Sequence, residues 1–243
     1  DIAALDEAGV WGSNCPGVFA ESAADHTMAL LLAVARRVPE ADAYVRSGRW
    51  AKDGFQPGPW DGMLLEGKTI GIVGFGQIGR AVARRAEAFG MRIVFHDAKR
   101  HDDPRDRALE ALLAESDVVS LHVPLLPQTR HLLRAPSIAL MKRGAIVLNM
   151  ARGPVVDESA LAAALASGHL GGAGMDVAEN EPEIHPGLLA QRNVVFSPHV
   201  GGGTVESRKQ ARLICAGNDA EVLRGCPPLN PVNKPAKPRS APE

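Results

Sequence analysis

The sequence has no excess of charge of either sign. Its 27 Lys and Arg stand against 28 Asp and Glu, a formal net charge of -1. No broad field draws such a chain to nucleic acid or to an anionic membrane, and any anion must be held by local placement. A small molecule is therefore the expected partner. Cysteine is scarce as well: Cys15, Cys215 and Cys226 lie far apart in sequence, and the total of 3 is odd. With neither CxxC nor metal-ligand spacing, they exclude a disulfide framework and a cysteine metal site, and fit a reducing, cytoplasmic setting. Long apolar runs are missing. The longest, Met28 to Ala35, is too short to cross a bilayer and carries a helical pattern, and no signal peptide precedes it. Internal repeats are absent. So is an initiating methionine: the chain opens at Asp1 and runs straight into the helix-like Ile2-Ala3-Ala4-Leu5-Asp6-Glu7-Ala8-Gly9, which predicts a segment of something longer.

What is present is an ordinary globular composition, 243 residues with 45% hydrophobic and 23% charged, enough for one large domain or one and a piece. After a turn at Asn14-Cys15-Pro16-Gly17, Met28, Leu31, Leu32 and Ala35 fall at helical spacing in a helix predicted over Glu21 to Val38 and stopped by Pro39. Its broad apolar face suits either the chain's own core or a subunit interface. Gly48 to Gly62, rich in Gly, Pro and Trp, reads as a structured loop. From Gly67 onward short β-branched runs alternate with helical segments, the sequence form of an α/β fold with a doubly wound parallel sheet. Strands are predicted at Thr69–Val73, Arg92–Phe95, Val118–His122, Ala145–Asn149, Gly174–Val177 and Val194–Phe196. Helices are predicted at Gln77–Phe89, at Asp157–Ser167 with Asp157 as cap and Gly168 as stop, and at Val205–Leu223. The Pro- and Lys-rich tail after Cys226-Pro227-Pro228 is expected to be disordered.

Gly74-Phe75-Gly76-Gln77-Ile78-Gly79 follows a predicted strand and opens a predicted helix, which is the setting a dinucleotide-binding loop requires. Gly74 permits the tight turn, Gly76 lets backbone approach a pyrophosphate, and Gly79 lets helix and strand pack closely. Gln77 and Ile78 offer backbone amides at the positive end of the helix. The next strand ends at Asp97, whose carboxylate can accept hydrogen bonds from ribose hydroxyls and would repel a 2'-phosphate. NAD is thus favoured over NADP, although Lys99 and Arg100 could offset part of that repulsion. A solvated turn residue is the plainer reading of Asp97.

Ligands of open α/β sheets gather at the carboxyl ends of the strands. The residues following the later strands are His122-Val123-Pro124, Asn149 to Gly153, Met175-Asp176-Val177 and Ser197 to Gly202. Three of these stretches carry a resemblance. Ala151-Arg152-Gly153-Pro154-Val155-Val156-Asp157, Met175-Asp176-Val177-Ala178-Glu179-Asn180-Glu181-Pro182 and Ser197-Pro198-His199-Val200-Gly201-Gly202 are similar to signatures of the D-isomer-specific 2-hydroxyacid dehydrogenases. The resemblance runs from about Asp1 to Asn233. Within the family it is nearest to glyoxylate/hydroxypyruvate reductases and phosphoglycerate dehydrogenases. It implies a Rossmann dinucleotide-binding domain over residues 20–203 and remnants of a second, flavodoxin-like substrate domain. Residues 1–19 would be one edge of that second domain, and residues 204–243 the helix that returns to it plus the tail. It also implies a homodimer, for which the Glu21 to Val38 helix offers a surface.

The chemistry that the resemblance implies is hydride transfer between NAD(H) and a small 2-oxo or 2-hydroxy acid. Arg152 can give a planar pair of donors to the substrate carboxylate and carbonyl, a geometry lysine lacks. His199 would pass the proton, and Glu181, hydrogen-bonded to its ring, would orient it and favour imidazolium. Asp176 would face the nicotinamide carboxamide. Val123, Pro124, Met150, Ala151, Gly201 and Gly202, with Arg152 and His199, would line the cofactor cleft. Singly, Arg152 as a surface charge, Glu181 in an acidic loop and His199 as a helix cap are competitive readings; jointly the catalytic set is preferred. His96, His101, His122, His131, His169 and His185 are read as structural or surface, and no metal motif is present. Three other functions compete: an NAD(H)-sensing binding protein similar to co-repressors of this fold, a formate dehydrogenase, against which Glu181 argues, and a fragment that binds NAD but is inactive alone.

Overall fold

The computed structural model describes residues 1–58, 60–99 and 101–239, so Arg100, expected as a compensating charge beside Asp97, lies outside the described residues. Along the chain run α1 (Ile2–Glu7), α2 (Ala20–Ala35), α3 (Val38–Arg46), α4 (Arg49–Asp53), β1 (Thr69–Val73), α5 (Gln77–Ala88), β2 (Arg92–His96), α6 (Leu109–Glu115) and β3 (Val118–Leu121). They are followed by α7 (Ala135–Ile138), β4 (Ile146–Asn149), α8 (Glu158–Ala166), β5 (Gly172–Met175), α9 (Pro186–Leu189), β6 (Val194–Phe196) and α10 (Val205–Leu223). The chain divides into two compact units: Asp1–Ser22 with the residues from Gly202 onward, and Ala23–Gly201.

The larger unit is built on a 6-stranded parallel sheet of order β2-β1-β3-β4-β5-β6. β1, Thr-Ile-Gly-Ile-Val, is apolar after Thr69 and every residue is buried, as a strand covered on both faces must be. Its side chains alternate between two cores. Ile70 and Ile72 pack with Phe95, Ile146 and Leu148 beneath Met28 and Leu31 of α2 and Ala81, Val82 and Ala86 of α5. Val73 packs on the other face with Leu121, Val147 and Met175 against Leu112 and Leu113 of α6 and Leu161 and Leu165 of α8. Each such Leu, Ile or Val contributes roughly 1.5–3 kcal/mol on burial, which is why both faces hold helices. β5 is the exception in composition. A Cβ on Gly174 would come within 2.9 Å of Leu148 and 3.0 Å of Leu30, so α2 lies too close for a branched residue there.

The register makes the sheet level at one end. His96 pairs with Val73, Val73 with Leu121, Leu121 with Asn149, Asn149 with Met175 and Met175 with Phe196, a single row across all strands. Beyond β2 a lone parallel bridge joins Phe95 to Asp106, where the 3-2-1-4-5-6 order of dinucleotide folds would place another strand. The chain leaves β1 toward β2 and returns to β3 on its other side, which opens a crevice between the carboxyl ends of β1 and β3.

Several expectations are corrected by this structure. α2 stops at Ala35, Arg37 turns with φ 53, and Pro39 stands in the first turn of α3. Proline there lacks an N–H that a helix start does not use, so Pro39 opens a helix instead of ending one. Of the two uses read for the apolar face of α2, the core is the one seen for Met28, Leu31 and Ala35, as expected. The Gly48 to Gly62 loop contains α4. β5 begins two residues earlier than Gly174, which leaves Asp176 and Val177 beyond its end.

In the smaller unit the tail is ordered through Arg239, against the expectation of disorder. Val232 N–H donates to Gly12 O at 2.9 Å, Asn14 N–H to Asn230 O at 3.1 Å and Arg239 N–H to Gly9 O at 2.8 Å. Buried Asn218 on α10 supplies the amide that the tail needs, accepting from Asn230 N–H at 3.0 Å. Cys15 and Cys215, far apart in sequence, meet with their sulfurs 3.5 Å apart.

Candidate active site

Just past the row at Val73 the chain makes the glycine turn. Gly74 has φ +95, and a Cβ on it would lie 2.7 Å from His122 O, so both conformation and space require glycine. A Cβ on Gly79 would fall 2.1 Å from Gly74 O, which seats the first turn of α5 directly against the loop. Gly76 differs: a Cβ there would meet nothing within 4 Å. It caps α5 without any side-chain hydrogen bond, and Gly76 and Gln77 are exposed. The amides of Gln77 and Ile78 thus open a 12-residue helix beside free space, an arrangement that fits a pyrophosphate held by backbone and helix dipole.

Asp97, one residue beyond the row on β2, is more than a solvated turn residue. Its Oδ2 accepts Phe75 N–H at 2.7 Å and its Oδ1 accepts Lys99 N–H at 3.2 Å. The carboxylate thereby ties the end of β2 to the glycine loop, and each oxygen retains a lone pair for a hydroxyl. At the end of β3, His122 Nε2 shares a hydrogen bond with Ser120 Oγ at 2.8 Å, while its buried Nδ1 has no partner among the described residues. Burial pushes this imidazole down to about 4, so it is neutral near pH 7 and no source of protons. Half-buried Val123 and exposed Pro124 follow it at the β1/β3 crevice.

The other end of the row carries the polar set. His199, on the turn after β6, has φ 54. That turn is fastened to Asp176: His199 N–H donates to Asp176 O at 2.8 Å, Val200 N–H to Oδ1 at 2.9 Å and Gly201 N–H to Oδ2 at 2.8 Å. Ser197 Oγ donates to Oδ1 at 2.6 Å, and His26 on α2 meets that hydroxyl at 2.8 Å. The buried carboxylate expected to face a nicotinamide is therefore occupied in shaping the His199 turn. Gly201 packs against Met150, where a Cβ would lie 2.4 Å from Met150 Cε. Met150 and Ala151 are buried beneath the surface, and Gly202 falls in the smaller unit with Phe19 against it.

His199 and Glu181 are brought together. Nδ1 lies 2.9 Å from Glu181 Oε2, while Oε1 accepts Ala178 N–H at 3.2 Å. The ring keeps Nε2 without a protein partner among the described residues. Arg152, on the turn after β4, is exposed and pairs with neither; its Nη1 donates to Ala151 O at 2.6 Å. Its turn abuts the Glu181 loop, since a Cβ on Gly153 would run into Ala178 O. Asp176, Glu181 and His199 share the wall of an apolar hollow of about 170 Å³ with Phe196 and Pro182. A groove of about 980 Å³ lined by Trp60, Met63 and Phe89 contains none of these residues. Among the described residues no cluster is arranged to hold a metal, and no helix is long and apolar enough to cross a membrane.

Sequence reading overlooked His26, Ser197 and Glu158. His26 carries no motif of its own, and Ser197 opens the His199 signature without a role read for it. Glu158 looks like an ordinary first-turn acid, yet it is buried.

Comparison with known proteins agrees with this geometry. Residues 28–201 match the model of the D-isomer specific 2-hydroxyacid dehydrogenase, NAD binding domain. The glyoxylate reductase of Thermococcus litoralis is 45% identical over 242 residues, covering 96% of this chain and 73% of that protein. A crystal structure from Thermus thermophilus superposes with a TM-score of 0.91 at 47% identity, covering 96% of this chain and 74% of the other. An NADPH-dependent glyoxylate/hydroxypyruvate reductase from Sinorhizobium meliloti, crystallised with NADP and malonate, gives 0.88 at 32% identity, covering 100% and 76%.

Proposed function

This chain belongs to the D-isomer specific 2-hydroxyacid dehydrogenase family of NAD(P)-dependent oxidoreductases, and from that premise we propose that it reduces glyoxylate, hydroxypyruvate or a similar small 2-oxo acid to the D-2-hydroxy acid. Its cofactor is NAD, the dinucleotide of the matched domain, and the glycine loop and Asp97 would hold it. When bound, NADH supplies the hydride that the carbonyl carbon takes up.

The residues do the rest. Arg152 offers its unpaired guanidinium edge to the substrate carboxylate, a charge-assisted contact worth about 1.5–3 kcal/mol. His199 gives the proton to the carbonyl oxygen from Nε2, because Nδ1 is taken by Glu181. Glu181 fixes the ring's orientation through its hydrogen bond with Nδ1. In the reverse direction the same nitrogen removes the hydroxyl proton. The observation that carries this reading is the 2.9 Å His199–Glu181 contact at the level end of the sheet, with Nε2 left open. A homodimer in a reducing cytoplasm, the form the family resemblance implies, is the proposed working form; a monomer in sedimentation would count against it.

The test is a panel of 2-oxo acids with NADH and NADPH on the full-length protein, followed by the absorbance of the reduced nicotinamide. Glyoxylate or hydroxypyruvate is expected to turn over with NADH. His199→Ala is expected to lower kcat by roughly a hundred- to ten-thousand-fold while NADH still binds. Wild-type protein that binds NADH and turns over none of the acids would sink the proposal.

A further inference from the structure

We infer that Glu158 is a positioning residue for the Glu181–His199 pair, acting by clamping both ends of the loop that presents Glu181. This rests on the function proposed above. Glu158 is the first residue of α8 and only 3% exposed. An acid in a helix's first turn normally sits in water, where it faces the helix's positive end. Here the side chain is turned inward, and burying it without partners would be costly. Its partners are two backbone amides: Glu179 N–H donates to Oε1 at 2.9 Å and His185 N–H to Oε2 at 3.3 Å.

Those amides flank the loop in which Glu181 lies. The clamp is reciprocal at its first end, because Glu158 N–H donates to Glu179 Oε2 at 3.4 Å, and the other oxygen of Glu179 meets His131 Nε2 at 2.6 Å. Between the clamped ends Asn180 bridges Glu183, and just before them Ala178 N–H holds Glu181 Oε1. The free oxygen of Glu181 is then delivered to His199 Nδ1. Glu158 lines the same hollow as that pair but makes no hydrogen bond to either of its members among the described residues. Its place on the segment after Arg152 sets the Arg152 turn and the Glu181 loop in a fixed relation, which Gly153 beneath Ala178 reinforces. Misplacement of a catalytic group by about 1 Å can cost on the order of a hundredfold in rate, so a loop anchored at both ends matters to turnover.

The experiment uses the full-length protein with Glu158→Ala and Glu158→Gln; Gln keeps the volume and one accepting oxygen should Ala fail to fold. Expected is a kcat for 2-oxo acid reduction lower by about tenfold or more in E158A and by less in E158Q, with NADH affinity within about twofold of wild type. In a Glu181→Gln background either change is expected to cost less than about twofold more, because its effect passes through Glu181. Unchanged kcat, full additivity with Glu181→Gln, or an equal loss of NADH affinity would overturn the inference. Amide exchange at Glu179 and His185 reads the clamp without turnover: protection in wild type that is lost in E158Q supports it, and fast exchange in wild type refutes it. If no 2-oxo acid is turned over, the functional reading fails while this exchange result still decides the clamp.

Discussion

Replacing Gly76 by alanine separates cofactor binding from folding. The backbone at Gly76 has φ -76 and ψ -155, conformations an alanine adopts without strain, and its Cβ would touch nothing within 4 Å. Reduced freedom of the unfolded chain contributes a gain of about 0.4–1 kcal/mol, so the melting temperature should hold or rise slightly. The methyl group, however, projects into the space beside the Gln77 and Ile78 amides. Displacing a phosphate from one charge-assisted hydrogen bond there costs about 1.5–3 kcal/mol. At about 1.4 kcal/mol per tenfold, NADH affinity should weaken by roughly 10- to 150-fold. Gly79→Ala is the control with the opposite balance: its Cβ would lie 2.1 Å from Gly74 O, and the overlap should cost about 1–3 kcal/mol of stability as well as binding. Fluorescence titration of NADH together with calorimetric melting reads both quantities. Gly76→Ala protein that melts normally and binds NADH with wild-type affinity would refute the assignment of this loop to the pyrophosphate.

Two further predictions concern other parts of the molecule. Burial holds His122 at about 4 against an ordinary 6.5, so between those values the unfolded chain binds the extra proton and stability falls as the pH drops through that window. Melting followed from pH 7 to 4 should show this loss, and His122→Gln should remove that part of the slope. With sulfurs 3.5 Å apart, Cys15 and Cys215 should join under oxidised glutathione, two thiols giving one disulfide and two reduced glutathiones. Intact mass should fall by two hydrogens in wild type and not in Cys215→Ser; a wild-type mass that stays unchanged would contradict the packing of residues 1–22 on α10.

Legibility in the sequence followed the strength of local signals. β1 could be bounded to the residue because a run of Thr, Ile, Gly, Ile and Val, rich in β-branched side chains, lies between Lys68 and Gly74. β5 was misplaced by two residues because Gly172-Ala173-Gly174 has no branched side chain to announce a strand, the approach of Leu30 having forbidden one. Pro39 misled because proline marks both the end of one helix and the first turn of the next, and the left-handed turn at Arg37 that decides between them leaves no trace in composition. The four-residue α7 and α9, Ala-Pro-Ser-Ile and Pro-Gly-Leu-Leu, owe their existence to the burial of Ile138 and Leu188 in the core, not to propensity. At the site, His199 and Glu181 were singled out through the resemblance of the stretches behind β5 and β6 to family signatures. Asp176 was found too, but its engagement by Ser197, Val200 and Gly201 is a tertiary fact, as is the inward turn of Glu158.

The level row from His96 to Phe196 also divides the larger unit into a working rim and an idle one. Every candidate group in this unit lies within a few residues beyond that row, so the opposite rim, where the strands begin, is available for attachment. The turn at Gly144 sits there with φ +82, and a Cβ added to it would meet nothing within 4 Å. A surface tether or a fused peptide introduced at that turn would hold the protein by its base, leaving the dinucleotide loop and the His199 turn facing the solution.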